Sequence, residues 1–295
     1  MAWIQLKLGV TAGQAAAAGE ACLAQGAAAV TWQDAQDTPV FEPLPGETRL
    51  WGHTELVALY PEGSDLTVVV AALEAALAPG QRLHPLVERV DDRAWEREAL
   101  AHWTPQRFGE RLWISPSWQT VADPAAITVL LDPGLAFGTG SHPTTALCLT
   151  WLATHPLKGK RVVDFGCGSG ILAIAALKLG ALSALGIDQE PQALQASRDN
   201  AQRNGVADRL LLLTAEVPPA EFSADVVLAN ILAEPLKQLA PQIAGLVRPG
   251  GHLVLSGILI DQVEAVLAAY TPYHFTFDPI QQREEWCCLS AVSLM

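Results

Sequence analysis

The sequence predicts an α+β domain of ferredoxin-like type followed by an α/β doubly wound sheet that a C-terminal antiparallel hairpin completes. Three observations carry this expectation. The first ninety or so residues alternate strand and helix in βαββαβ order. From Val162 onward, short apolar strand-like runs alternate with helical runs, the pattern of a mostly parallel sheet. The last two strand-like runs, residues 273–277 and 286–292, are joined by a short polar stretch, and a connection that short permits only antiparallel pairing.

Residues 3–10 alternate like a strand, residues 11–25 are alanine-rich with Thr11 as a possible cap, and residues 27–34 return to strand character. A Pro/Gly-rich insert, residues 38–46, reads as a loop before a strand at 48–60. Asp65 can cap a helix over 66–77 that stops at Pro79-Gly80, and residues 82–90 close the domain as a strand. The domain is drawn at 1–93, a charged connector helix at 94–104 ends before Pro105, and the second domain occupies 105–295. Trp95 and Trp103 share one face of that connector, which fits packing against a domain.

In the second domain, residues 111–114 read as a strand. The later units are a strand to Phe165, a helix at 172–179, a strand to Asp188, a helix at 191–204, strands at 210–214 and 224–229, a helix at 236–247, a strand at 252–256 and a helix around 261–269. A chain of 295 residues is long enough for two domains.

The segment Asp164-Phe165-Gly166-Cys167-Gly168-Ser169-Gly170, between a strand and a helix, carries the chemistry. A turn without β-carbons lets a ligand lie against the end of a strand, and an acid at the tip of the next strand, Asp188, can bind ribose hydroxyls. A dinucleotide fingerprint needs a small residue at the sixth place, where this chain has Ile171. The glycines fall instead at first, third and fifth, with Asp164 where a carboxylate could face a cation. S-adenosyl-L-methionine lacks phosphate and carries a sulfonium and an ammonium, so it is the expected cofactor. Asn230, after the fourth core strand, belongs to the same strand-end constellation, together with the Thr214-Ala215-Glu216 segment.

Upstream lies Asp132-Pro133-Gly134-Leu135-Ala136-Phe137-Gly138-Thr139-Gly140-Ser141-His142-Pro143-Thr144-Thr145. Its glycines and prolines make it a loop, Thr144 or Thr145 can cap the following helix, and no Gly-Lys-Ser/Thr follows, which excludes a triphosphate P-loop. It can fold over the cofactor as a lid, with His142 as a proton acceptor or lid residue.

Composition narrows the partners. A net charge of −13 and pI near 4.9 disfavour a phosphate-tracking surface and suit a basic protein partner. Five cysteines without a Cys-x-x-Cys pair predict neither disulfide framework nor zinc site, and Cys167 reads as a small buried filler. No apolar run reaches the roughly 20 residues of a membrane span, and residues 1–7 lack the marks of a secretory leader, so a cytoplasmic protein is expected.

Asp-x-Gly-x-Gly-x-Gly with Asp188 resembles the first two motifs of class I methyltransferases. Together with the loop from Asp132 to Thr145, with Phe108-Gly109-Glu110-Arg111-Leu112-Trp113-Ile114 and with Asn230-Ile231-Leu232-Ala233, it resembles the ribosomal protein L11 methyltransferase family over the whole chain. The resemblance implies trimethylation of lysine ε-amines and of the N-terminal α-amine of a large-subunit ribosomal protein. It implies that the N-terminal domain holds the substrate; the partner expected is a basic ribosomal protein in its free form, bound by a monomeric enzyme without membrane or nucleic-acid binding. Carried over by position, Thr145, Gly166, Asp188 and Asn230 would contact the cofactor; Phe137, Gly138 and Thr139 of the upstream loop and Gly168 and Gly170 of the turn are expected to join them, and Asn230 and His142 are the catalytic candidates. Amine methyltransferases often carry Pro-Pro-aromatic after an Asp or Asn at this position; here Ile231-Leu232 follows. The competing readings are a methyltransferase of RNA, a small molecule or another protein, a nucleotide-binding interaction module without turnover, and an NAD-dependent oxidoreductase.

Overall fold

The computed structural model describes residues 3–36, 53–77, 82–90, 103–132, 140–214 and 223–294. The chain divides into two units, Met1–Arg97 and Glu98–Met295. The insert at 38–46 lies outside the described residues, as does the expected connector helix but for Trp103 and Thr104.

The first unit runs β1 (Trp3–Val10), α1 (Ala12–Ala24), β2 (Ala29–Asp34), β3 (Thr54–Pro61), α2 (Leu66–Leu77) and β4 (Leu86–Val90). Its sheet has the order β2-β3-β1-β4 with every pair antiparallel, the ferredoxin-like arrangement. Alternation decides which face is covered. Leu6, Leu8 and Val10 of β1 and Leu56, Ala58 and Tyr60 of β3 point one way and pack on Ala15, Ala18 and Cys22 of α1 and on Val69 and Leu73 of α2. Asp65 caps α2 by accepting from the Thr67 N–H at 3.0 Å.

The second unit opens on a small sheet that the sequence reading reduced to one strand. β5 (Gln106–Phe108), β6 (Leu112–Ser115) and β7 (Ile127–Leu130) pair in that order, β6 with β7 in parallel. Strands of three or four residues carry too little alternation to be read. Then follow α3 (Pro143–Thr154), β8 (Arg161–Phe165), α4 (Ile171–Lys178), β9 (Ser183–Asp188), α5 (Pro191–Arg203), β10 (Leu210–Thr214), β11 (Ala224–Asn230), α6 (Ala233–Gln238) and α7 (Ala240–Gly245). β12 (Val247–Leu259), α8 (Val263–Tyr270), β13 (Phe275–Phe277), β14 (Gln281–Arg283) and β15 (Trp286–Ser293) complete the unit.

The large sheet has the order β10-β9-β8-β11-β12-β15-β13. Strands β8 to β12 are parallel, and β15 runs antiparallel between β12 and β13. The expected closing hairpin is thus present, and β14, within the polar stretch, also pairs with β15. Side chains alternate into two apolar layers. Val162, Leu228 and Val254 face Leu149, Leu152 and Ile174 on one side, while Val163, Val227 and Leu253 face Leu236, Ile243 and Tyr270 on the other. Every residue from Ile171 to Leu177 is buried, so α4 is a core helix whose start is fixed by packing all round.

One helix differs from expectation. The run read as a single helix over 236–247 is two short helices that break at Leu239, because Pro241 lacks an N–H and its ring collides with the carbonyl four residues back. The strand expected at 252–256 is longer: β12 takes in the Pro249-Gly250-Gly251 run before it.

One side chain closes the free edge of the small sheet. Asn204, just past α5, accepts from the Leu130 N–H and donates to the Leu130 carbonyl, both at 2.8 Å, completing the free edge of β7 as a strand would. Asn204→Ala strands both backbone groups and is expected to lower unfolding stability by about 2 to 4 kcal/mol in denaturant titration. A loss below about 0.5 kcal/mol would contradict this bridging role.

Candidate active site

Between β8 and β11 the chain order reverses, the place where open α/β sheets leave a crevice at the carboxyl ends of their strands. The turn after β8 fills one side of it. Gly166, Gly168 and Gly170 have φ of 76°, 54° and 77°, a left-handed region that costs a side chain about 1 kcal/mol or more. The turn is held from behind. Gly166 and Cys167 donate their N–H groups to the Ile187 carbonyl at 2.8 and 3.0 Å. The Ser197 hydroxyl donates to the Gly168 carbonyl at 2.9 Å, and Asn200 Nδ2 donates to the Ser169 carbonyl at 2.9 Å. Ser197 and Asn200 were not read as site residues. Their signal was two small polar residues on the face that α5 turns to the core, where both are buried.

Asp188 ends β9, beside the turn. One carboxylate oxygen accepts from the Gly168 N–H at 2.8 Å and the other from the Glu190 N–H at 3.0 Å. Each oxygen has a second acceptor position, so the carboxylate can also receive two vicinal hydroxyls.

Asp164 behaves differently from the expectation that it faces a cation. It is 1% exposed, and its Oδ2 accepts from the Ala173 N–H in the first turn of α4 at 3.0 Å. Burial pushes its carboxyl up to about 7; the neighbouring Asp188 charge adds to the rise and the Ala173 N–H opposes it. It anchors the helix start beneath the turn. Cys167 is buried as expected, with a thiol that burial pushes up to about 12.

Across the crevice, β11 ends at Asn230, whose Nδ2 donates to Thr145 Oγ1 at 3.2 Å. Thr145 is buried in the first turn of α3. The buried Ser256 hydroxyl lies 3.2 Å from the Thr144 carbonyl and 3.1 Å from that of Cys287, tying this turn to β12 and β15. The cap of α3 is not Thr144 or Thr145 but His142, whose Nδ1 accepts from the Thr144 N–H, with Pro143 at the first helical position. Proline fixes the helical φ at that point, which moves the cap one residue ahead of it. Burial lowers the His142 pKa while Glu284 and Glu285 oppose the shift, so the imidazole is neutral at pH 7. Its ring meets that of Trp286 edge-on at 5.2 Å.

Phe137, Gly138 and Thr139, together with Ala215 and Glu216, lie outside the described residues. The described flanks of the upstream loop are held by local contacts. Asp132 accepts from the Ser117 N–H and hydroxyl at 2.7 and 2.9 Å, and Gly140, at φ 87°, lies so close to Ile171 that an added β-carbon would sit 3.3 Å from its Cδ1.

This sheet order, the glycine turn at the reversal and the acid one strand over define a class I methyltransferase, an enzyme that uses S-adenosylmethionine. The model of the family "Ribosomal protein L11 methyltransferase (PrmA)" matches residues 2–293, and the chain belongs to that family. It is 56% identical over 294 residues to the ribosomal protein L11 methyltransferase of Photorhabdus laumondii, covering 100% of this chain and 99% of that one. Its identity with the Yersinia pseudotuberculosis enzyme of that name is 58% over 292 residues, 99% of each chain. The crystal structure of the ribosomal protein L11 methylase of Lactobacillus delbrueckii subsp. bulgaricus superposes with a TM-score of 0.59 at 31% identity, over 66% of this chain and 100% of that one.

Two outcomes follow from the site. Because the folded Asp164 pKa lies above the unfolded value of 3.8, its protonated form stabilises the fold, and that stability is lost as pH rises from about 4 through about 7. Asp164→Asn, which keeps the acceptor for Ala173, is expected to flatten this fall in unfolding free energy; an unchanged slope would contradict the burial account. His142→Ala removes the α3 cap and is expected to lower the melting temperature by about 2 to 4 °C. His142→Asn, which can cap, recovers most of it; equal losses in both variants would exclude capping.

Proposed function

We propose that this enzyme trimethylates lysine ε-amines and the N-terminal α-amine of ribosomal protein L11, taken in its free form, with residues 1–93 holding the substrate and 105–295 performing the transfer. The observation that carries this reading is the pairing of two anchors on opposite sides of the strand reversal: Asp188 with the glycine turn, and Asn230 with Thr145. The net charge of −13 suits a basic protein substrate, and among the described residues no helix is long and apolar enough to cross a membrane. The reading takes the enzyme as a cytoplasmic monomer.

The residues fit S-adenosylmethionine. Asp188 offers acceptors for the two ribose hydroxyls, and the bare backbone of Gly166, Gly168 and Gly170 admits the methionine portion. Phe137, Gly138 and Thr139 belong to the loop assigned as its lid. When bound, the cofactor supplies a methyl group on positively charged sulfur.

The acceptor must arrive as a neutral amine. At a pKa near 10.4 a lysine is neutral in about one molecule in 2,500 at pH 7, and removing its proton costs about 4.6 kcal/mol. The α-amine, near 7.7 to 8.0, is neutral in about one in ten. With Nδ2 committed to Thr145, the Asn230 amide oxygen remains to accept a hydrogen bond from the incoming amine and align its lone pair. His142, with Nδ1 directed at Thr144, carries its proton on Nε2; it holds the helix start that presents Thr145. Proton loss is left to water and to the lowering of the amine pKa by desolvation.

Incubating purified large-subunit proteins with enzyme and cofactor, followed by intact-mass measurement, is expected to show mass gains in methylene steps on L11 alone. Gains confined to RNA or to a different protein would overturn the substrate assignment. Asp188→Ala is expected to weaken S-adenosylhomocysteine binding by about tenfold or more, through loss of two charge-assisted hydrogen bonds. Unchanged affinity would remove Asp188 from the ribose site.

A further inference from the structure

Ile231 follows Asn230 at the strand reversal and is wedged between a glycine of the turn after β8 and a glycine of β12. On one side is Gly166, where an added β-carbon would overlap Ile231 Cγ2. On the other is Gly257 of β12, where a β-carbon would overlap the Ile231 carbonyl oxygen and lie 2.8 Å from its carbon. Gly257 is no ordinary strand residue. The register of β12 against β15 slips there, Ser256 facing Cys288 and Ile258 facing Cys287, so Gly257 is the unpaired residue of a bulge, with φ of 87°. Bulges of this kind re-aim neighbouring groups, and this one opens the space that the Ile231 backbone occupies.

The consequence is geometric. Asn230 pairs with Ser256 in the β11–β12 register, and Ser256 reaches the Thr144 carbonyl while Asn230 reaches Thr145. The residue after Asn230 is therefore gripped by the cofactor turn through its side chain and by the β12 bulge through its backbone, on a strand already tied to α3. With Ile231-Leu232 after Asn230 instead of prolines, the backbone here is held from outside by these contacts.

We propose that Ile231 is a positioning residue for methyl transfer, and that Gly166 and Gly257 form the clamp through which the cofactor turn and the acceptor-orienting Asn230 are kept in register. This rests on the role given to Asn230 above. A displacement near 1 Å at an acceptor-orienting group costs about a hundredfold in rate, while cofactor contacts made on the other side of the crevice are spared. Side-chain and backbone contacts to one residue also couple non-additively.

The test compares wild type, Ile231→Val, Ile231→Ala, Gly166→Ala, and the double variant Gly166→Ala/Ile231→Ala, reading S-adenosylhomocysteine affinity by calorimetry and kcat on L11. Ile231→Ala is expected to lose kcat by about tenfold or more with affinity held within about threefold, and Ile231→Val, which keeps both branch carbons at Cβ, to remain near wild type. Gly166→Ala is expected to lose affinity, and the double variant to regain at least about fivefold of it, because the overlapping Cγ2 has gone. Wild-type kcat in Ile231→Ala, or a double variant that binds no better than Gly166→Ala, would overturn the proposal. If wild type transfers no methyl to L11, the substrate reading fails while the affinity rescue still decides the wedge.

Discussion

The Asp188 carboxylate, accepting the Gly168 N–H, is the interaction on which the site depends. A left-handed glycine turn is conformationally loose in isolation, since glycine loses more backbone freedom on folding than any other residue. A charge-assisted hydrogen bond from an adjacent strand, with a net contribution of about 1.5 to 3 kcal/mol, fixes its middle. Donation from Gly166 and Cys167 to Ile187 fixes its entry, and Ser197 and Asn200 secure the Gly168 and Ser169 carbonyls. The turn is therefore built into the crevice wall before any ligand arrives, and the acid that steadies it keeps free lone pairs for that ligand.

The opposing wall is made by a different device. No glycine turn follows β11; instead the first turn of α3 lies across the strand ends and meets Asn230 through a buried threonine. That helix start is set by His142, Pro143 and Ser256 acting on consecutive backbone groups. Asp164 shows how much charge the arrangement tolerates. A second carboxylate near Asp188 is kept because burial favours its protonated form, so the two acids need not both carry charge beneath the turn.

Much of this was legible in the sequence, for identifiable reasons. Long elements with strong periodicity, such as residues 3–10 and 66–77, fall where alternation and capping place them, and the family-typical sheet order follows from strand–helix alternation plus one short terminal connection. Gly166, Gly168, Gly170, Asp188, Asn230 and Thr145 are brought to one crevice by that topology. What escaped was set by tertiary contact. Asp164 turned inward because the apolar start of α4 lies beneath it. The α3 cap moved to His142 because of Pro143, and the helix after β11 split at Leu239 because Pro241 overrides the periodicity. The grip on Ile231 joins it to Gly257, 26 positions on, and to Gly166, 65 positions back, which no local pattern reports.

The central claim is that the glycine turn, Asp188 and Asn230 form one cofactor seat facing the acceptor amine. A crystal structure of the enzyme with S-adenosylhomocysteine tests it most directly. The account predicts both ribose hydroxyls on the Asp188 carboxylate, the homocysteine portion along Gly166 to Gly170, and the sulfur directed toward the Asn230 side of the crevice. Adenosine bound away from Asp188, or a sulfur facing the α5 side of the turn, would contradict it.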